Sequence, residues 1–89
     1  MKNTVELQDI VKGFANHYRI KIIKCIKSQP DLTVEDIADL LHANYKTISV
    51  HTRQLHRAGI VSKRYLKHSV QHRLTKRGVF ILKFLGKLE

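Results

Sequence analysis

Residues 33–61 read TVEDIADLLHANYKTISVHTRQLHRAGIV, and this stretch decides the fold. Thr33 with Asp36 three residues on is a capping box with the shorter acid. It predicts the start of a helix whose core residues are Val34, Ile37, Leu40 and Leu41. A short turn, His42-Ala43, leads to Asn44, a good cap for a helix running to about Ala58. Gly59 is the left-handed residue that usually closes such a helix. Two helices joined by a turn of about three residues form a helix-turn-helix.

Working outward, Val5, Leu7, Ile10, Val11 and Phe14 recur at helical spacing and predict a first helix from about Thr4 to Ala15. Asn16 caps a second, with Ile20, Ile23, Cys25, Ile26 and Ile22 on its apolar side, and Gln29-Pro30-Asp31 breaks it. After Gly59 the period changes. Ile60–Leu66 and Val70–Leu74 read as strands separated by Lys67-His68-Ser69. Thr75 caps a last helix, Lys76 to Leu88, with more apolar surface than one buried side needs. The expected fold is mainly α with a small β-hairpin: four helices, a two-stranded wing and a C-terminal helix in one domain, a winged helix-turn-helix.

Charge is distributed unevenly over that frame. Leu40 to Leu88 holds eleven Lys or Arg residues and no Asp or Glu, whereas Met1 to Asp39 holds six of each sign. The net charge of +10 therefore belongs to the second half, whose eleven positive charges are reduced by one at Glu89. A solubilising surface mixes both signs. A one-signed half that still folds points to a polyanion, with nucleic acid first among candidates.

At about 100° per residue, Ile48, Leu55 and partly Thr52 and His51 of the fourth helix turn inward. Tyr45, Lys46, Thr47, Ser49, Val50, Arg53, Gln54 and Arg57 are left for double-stranded DNA. Lys46 and Arg53 suit guanine edges or phosphates, Gln54 an adenine and Val50 a thymine methyl. In the wing, Lys63, Arg64, Lys67, His68 and Arg73 are placed to flank a phosphate backbone or enter a minor groove. Edge strands also carry Lys and Arg to prevent aggregation, and both roles can hold together.

A family resemblance rests on these residues. Phe14-Ala15-Asn16-His17-Tyr18-Arg19-Ile20-Lys21-Ile22-Ile23 resembles a family stretch usually reading Leu-Ala-Asp-Pro-Thr-Arg-Leu-Arg-Ile-Leu. Thr33 to Leu41 resembles its third helix. Asn44 to Val61, with Thr47-Ile48-Ser49, Leu55 and Arg57-Ala58-Gly59-Ile60-Val61, resembles its recognition helix and the strand after it. Arg73-Leu74-Thr75 matches the end of the wing. The family is the ArsR-like winged-helix transcriptional regulators, and the resemblance covers about Phe14 to Thr75. It implies a homodimer on an operator of two-fold symmetry, usually acting as a repressor, and in many members metal sensing. Sensing members carry Cys-x-Cys in the third helix, where this chain has Thr33 and Glu35, or Asp and His ligands on the last helix, which has neither. No metal site is expected.

The terminal helices are the expected dimer interface, through Leu7, Ile10, Val11 and Phe14 of the first and Ile81, Phe84, Leu85 and Leu88 of the last. Phe80, Phe84 and Leu88 form one row of the last helix, and Ile81, Leu85 and Leu88 another; one row covers the core and the other meets a second copy. The six histidines lack HExxH, Cys-His pairing and a carboxylate cluster. His51 is expected as a packed or backbone-bonded imidazole, while His68 and His72 are expected to gain charge near phosphates. Cys25 reads as a small buried hydrophobe. Lys76 and Arg77 sit unfavourably for the dipole at the start of the last helix, a conflict that a phosphate would relieve.

Neither a Gly-rich phosphate loop nor a nucleophile with a base is present, so no enzyme, cofactor or small-molecule ligand is expected. No apolar run approaches the roughly 20 residues that span a bilayer. The start is too polar and acidic for a signal peptide, and one cysteine excludes an internal disulfide. The expectation is a soluble cytoplasmic module without membrane contact. Two other readings stay open: an architectural protein that coats DNA without choosing sequence, and a winged-helix protein-interaction module.

Overall fold

A computed structural model describes the whole chain, Met1–Glu89. The elements run α1 (Thr4–Phe14), α2 (His17–Ser28), α3 (Val34–Leu41), α4 (Tyr45–Arg57), β1 (Val61–Tyr65), β2 (Val70–Leu74) and α5 (Lys76–Gly86). This is the winged helix-turn-helix that the sequence predicts. Boundaries differ by one or two residues where the chain leaves regular hydrogen bonding. Ile60, for example, donates to Leu55 O in the closing turn of α4 instead of joining β1.

Every helix starts on a side-chain cap. Asn44 Oδ1 accepts from Lys46 N at 2.8 Å, and Asn16 Oδ1 from Tyr18 N at 2.9 Å. Thr33 and Asp36 exchange bonds at 3.0 and 3.1 Å. Thr75 Oγ1 accepts from Gly78 N at 3.1 Å. Asn3 and Glu6 form a further box at the head of α1. Each such cap stabilises its helix by about 1 kcal/mol. Gly59 has φ 74°, the left-handed stop expected after α4, and His42 at φ 52° makes the sharp exit from α3.

The core is aliphatic and shared by all layers: Ile22, Ile23 and Ile26 of α2, Ile37 of α3, Ile48 and Leu55 of α4, then Ile60, Val61 and Ile81. Burying each of these side chains contributes roughly 1.5–3 kcal/mol. α1 can lie close on α4 because Gly13 meets Ala58, and a Cβ at Gly13 would collide with the Ala58 Cβ.

The wing is antiparallel, with Val61 opposite Leu74, Lys63 opposite His72 and Tyr65 opposite Val70. It has a third partner outside the hairpin. Asp31 N donates to His72 O and His72 N to Leu32 O, both at 3.0 Å. The α2–α3 loop is thereby stitched to β2.

Three expectations are corrected. Leu40 lies on the outer side of α3, 45% exposed, not in the core. His72 is 1% exposed and cannot reach a phosphate, because its ring is turned into the interior with Nδ1 2.8 Å from Leu32 O. Ile81 is 4% exposed and packs into its own core with Leu85 alongside, so that row is the one facing inward.

Candidate nucleic-acid interface

Ile48, Thr52 and Leu55 anchor α4 inward. Its opposite face therefore presents Lys46, Val50, Arg53 and Arg57 to solvent, with Val50 46% exposed. Tyr45 is exposed at the start of the helix, and Thr47, Ser49 and Gln54 are half-buried flanks of the same surface. On the wing, Arg64, Lys67 and His68 are exposed and Lys63 is half-buried. The only ion pairs in the chain are Lys24–Glu89 and Arg73–Asp31. Lys46, Arg53, Arg57, Lys63, Arg64 and Lys67 thus carry their charges without a carboxylate partner.

Arg73 is placed differently from its neighbours. Its Nε donates to Asp31 Oδ1 at 2.6 Å and its Nη2 to Oδ2 at 2.9 Å, a bidentate fork. The guanidinium holds the Asp31 carboxyl below the usual carboxylate range, chiefly by hydrogen bonding, and the Arg73 pKa is raised in return. Arg73 pins the base of the wing to the α2–α3 loop with its charge neutralised.

His51 is packed, but against side chains and not the backbone. Its Nδ1 accepts from Arg19 Nε at 3.1 Å, and its ring stacks on Tyr18 with centroids 5.6 Å apart. An arginine only donates, so the neutral His51 carries its proton on Nε2. Burial first, and then the Arg19 charge, push its pKa below the ordinary histidine range.

Arg77 escapes the unfavourable start of α5 by donating to Ala58 O at 2.7 Å, at the electronegative end of α4. No phosphate is required there. Cys25 is a half-buried free thiol, and burial raises its pKa.

Sequence reasoning missed Tyr65 and Leu66, which stand exposed beside the wing tip, and the anchoring roles of Arg19 and Arg77. An exposed apolar residue between cations was the available signal for the first pair. Nothing local marks the second pair, since their partners lie far along the chain.

Of the apolar residues expected at a dimer contact, Leu7, Val11, Phe84 and Leu88 are exposed, and Phe80 joins them at 70%. Ile10, Phe14 and Leu85 are half-buried. No His, Cys, Asp and Glu side chains cluster in a way that could hold a metal ion. No helix is long and apolar enough to cross a membrane.

Comparison with known proteins gives the same frame. No curated protein sequence matches the chain. Among solved structures, HlyU from Vibrio cholerae N16961 superposes with a TM-score of 0.82 at 24% identity, over 98% of this chain and 95% of that one. The homodimeric winged helix-turn-helix DNA-binding domain from Mycobacterium bovis gives 0.79 at 25% identity, over 94% and 77%. The transcriptional regulator HlyU from Vibrio vulnificus CMCP6 gives 0.77 at 25% identity, over 97% and 90%. The family model for the bacterial regulatory proteins of the arsR family matches residues 16–63, more than half of the chain. The chain therefore belongs to the arsR family of bacterial regulatory proteins, as a winged helix-turn-helix, DNA-binding transcriptional regulator.

Proposed function

We propose that the protein is a cytoplasmic homodimeric repressor that recognises a palindromic duplex by sequence. In this reading α4 lies in the major groove of each half-site, with Lys46, Val50 and Arg53 against base edges. The wing follows the flanking backbone through Arg64, Lys67 and His68. The observation that carries the reading is the α4 and wing surface, on which six cations have no carboxylate partner while an exposed Val50 sits among them. Dimerisation is supported by the exposed Phe80, Phe84 and Leu88 row of α5 and by Leu7 and Val11 of α1. A two-fold dimer places its two recognition helices about one DNA turn apart, roughly 34 Å, and blocks a promoter by occupying it.

Selection from a random-sequence duplex pool at two salt concentrations tests this. A palindrome enriched at both concentrations is the expected result. A pool retained without enrichment would instead make the protein an architectural DNA coat, and no retention would make it a protein-interaction module.

A further inference from the structure

Beside the DNA-facing surface lies a cleft of about 570 Å³ between α1 and the C-terminal half of α4. Its cationic side is built from Arg19 of α2, Arg57 of α4 and Arg77 of α5. Two of these guanidiniums are held in place from behind. Arg19 donates through Nη1 to Lys12 O at 2.8 Å and through Nε to His51. Arg77 donates to Ala58 O at 2.7 Å. Both keep N–H donors to spare, and none of the three arginines has a carboxylate within ion-pairing distance. Guanidiniums fixed on backbone carbonyls lose little freedom when they take a ligand, and their fork matches a carboxylate or phosphate.

The α1 wall carries Glu6 and Asp9 together with Lys2 and Lys12. Along α1 the two carboxylates lie between the two lysines, so a phosphate seated against the middle of that wall meets negative charge. A short oxyanion held on the arginine side avoids them, and hydroxyl or amino groups on the same molecule can donate to them. The volume falls in the range of small-molecule sites, and Ile10 and Ala58 are the hydrophobic residues in a lining that is otherwise polar or charged.

We infer that this cleft is an effector site for a small metabolite bearing a phosphate or paired carboxylates together with hydroxyl or amino donors. Gln54 and Arg57 line both the cleft and the recognition face. A bound oxyanion therefore draws Arg57 away from DNA and lowers operator affinity, a consequence that rests on the DNA-binding reading above.

The test uses pyrophosphate and citrate as probes, titrated at constant ionic strength into the full-length, isotope-labelled protein without DNA. The arginine Nε–H signals of residues 19, 57 and 77 and the Gly13 amide should shift saturably. Arg57→Ala should weaken binding about tenfold or more; that side chain is exposed and bonds to nothing in the fold. Glu6→Gln and Asp9→Asn should act oppositely and tighten binding severalfold. Unsaturable shifts spread equally over Lys46, Arg53 and Lys67 would show general attraction to anions and overturn the inference. So would indifference to Glu6→Gln and Asp9→Asn. If neither probe binds and a short duplex moves the same signals, the cleft seats a DNA phosphate and the effector role falls.

In a second arm, saturating pyrophosphate should raise the Kd for a selected duplex at least fivefold at fixed ionic strength. Cleft binding without that change also overturns the effector role. Saturable cleft binding by a protein that holds no duplex at all would refute the proposed function instead, leaving the ligand site standing.

Discussion

Arg73 and Lys67 carry the same charge only a few residues apart on the wing, yet only one of them is paired with a carboxylate, and the proposed DNA contact predicts different effects for the two. Lys67 is exposed at the tip without a carboxylate partner, while Arg73 is forked onto Asp31. If three to five of the six unpaired cations on each subunit meet phosphates, a dimer makes about six to ten contacts. Each contact adds about −0.9 to the slope of log K against log salt concentration, giving roughly −5 to −9. Between 50 and 200 mM salt, the affinity should then fall by about three to five orders of magnitude. Lys67→Ala removes one contact per subunit. The slope should flatten by about 1.8, and affinity at 0.1 M salt should fall on the order of 60-fold. Arg73→Ala should leave the slope unchanged, because that charge is already balanced; any loss of affinity should be the same at every salt concentration and come from a loosened wing. Fluorescence anisotropy with a labelled duplex from 50 to 300 mM KCl measures both. Equal flattening by the two variants, or a wild-type slope shallower than about −2, would refute the assignment of charges drawn from the ion pairs.

The other expectations concern assembly and stability. Phe80→Asp with Phe84→Asp should halve the mass seen by light scattering while leaving helical circular dichroism intact, since both side chains are exposed. Loss of the linked second subunit should cost on the order of a hundredfold in affinity for a palindrome; a variant that stays dimeric would place the interface elsewhere. Gly78→Ala should destabilise by roughly 1–3 kcal/mol in urea unfolding, because its Cβ would run into the Ile60 carbonyl. Gly86→Ala meets nothing within 4 Å and should be neutral or slightly stabilising; equal losses at both positions would refute the contact. His72 is pushed below the ordinary histidine pKa, first by burial and then by Lys63 and His56, against its bond to Leu32 O. As pH falls below about 6.5 the unfolded chain takes up a proton that the folded chain refuses. Stability should therefore drop by up to about 1.4 kcal/mol per pH unit from this group, until its lower folded pKa is reached. A His72 ring signal that titrates like a free imidazole would contradict the burial.

What could be read from residues alone was local. Thr33 with Asp36, Asn44 before α4 and Gly59 after it act through bonds spanning a few residues, so their meaning travels with the sequence. The same holds for the acid-free run from Leu40 to Leu88, which needed no coordinates to suggest a polyanion. Periodicity likewise separated Ile48 and Leu55 from Lys46 and Arg53 on α4, because a helix of known pitch has only one inner side.

Long-range packing decided the rest. The alternation of β2 put Val70, His72 and Leu74 on one face, but only the packing of that strand against α2 and the α2–α3 loop made His72 a buried imidazole. Ile81 and Phe84 are both apolar and one turn apart, and which of them faces inward was set by how α5 seats on the shared core. Arg73 finds its carboxylate 42 positions back along the chain and Arg19 its histidine 32 positions ahead. Sequence by itself thus determined the order of elements, their caps and the sign of the surface, since those depend on neighbours a turn or less away. Tertiary structure alone decided which cations are free and which are spent on the fold, because a charge is neutralised only by what the folded backbone brings within reach.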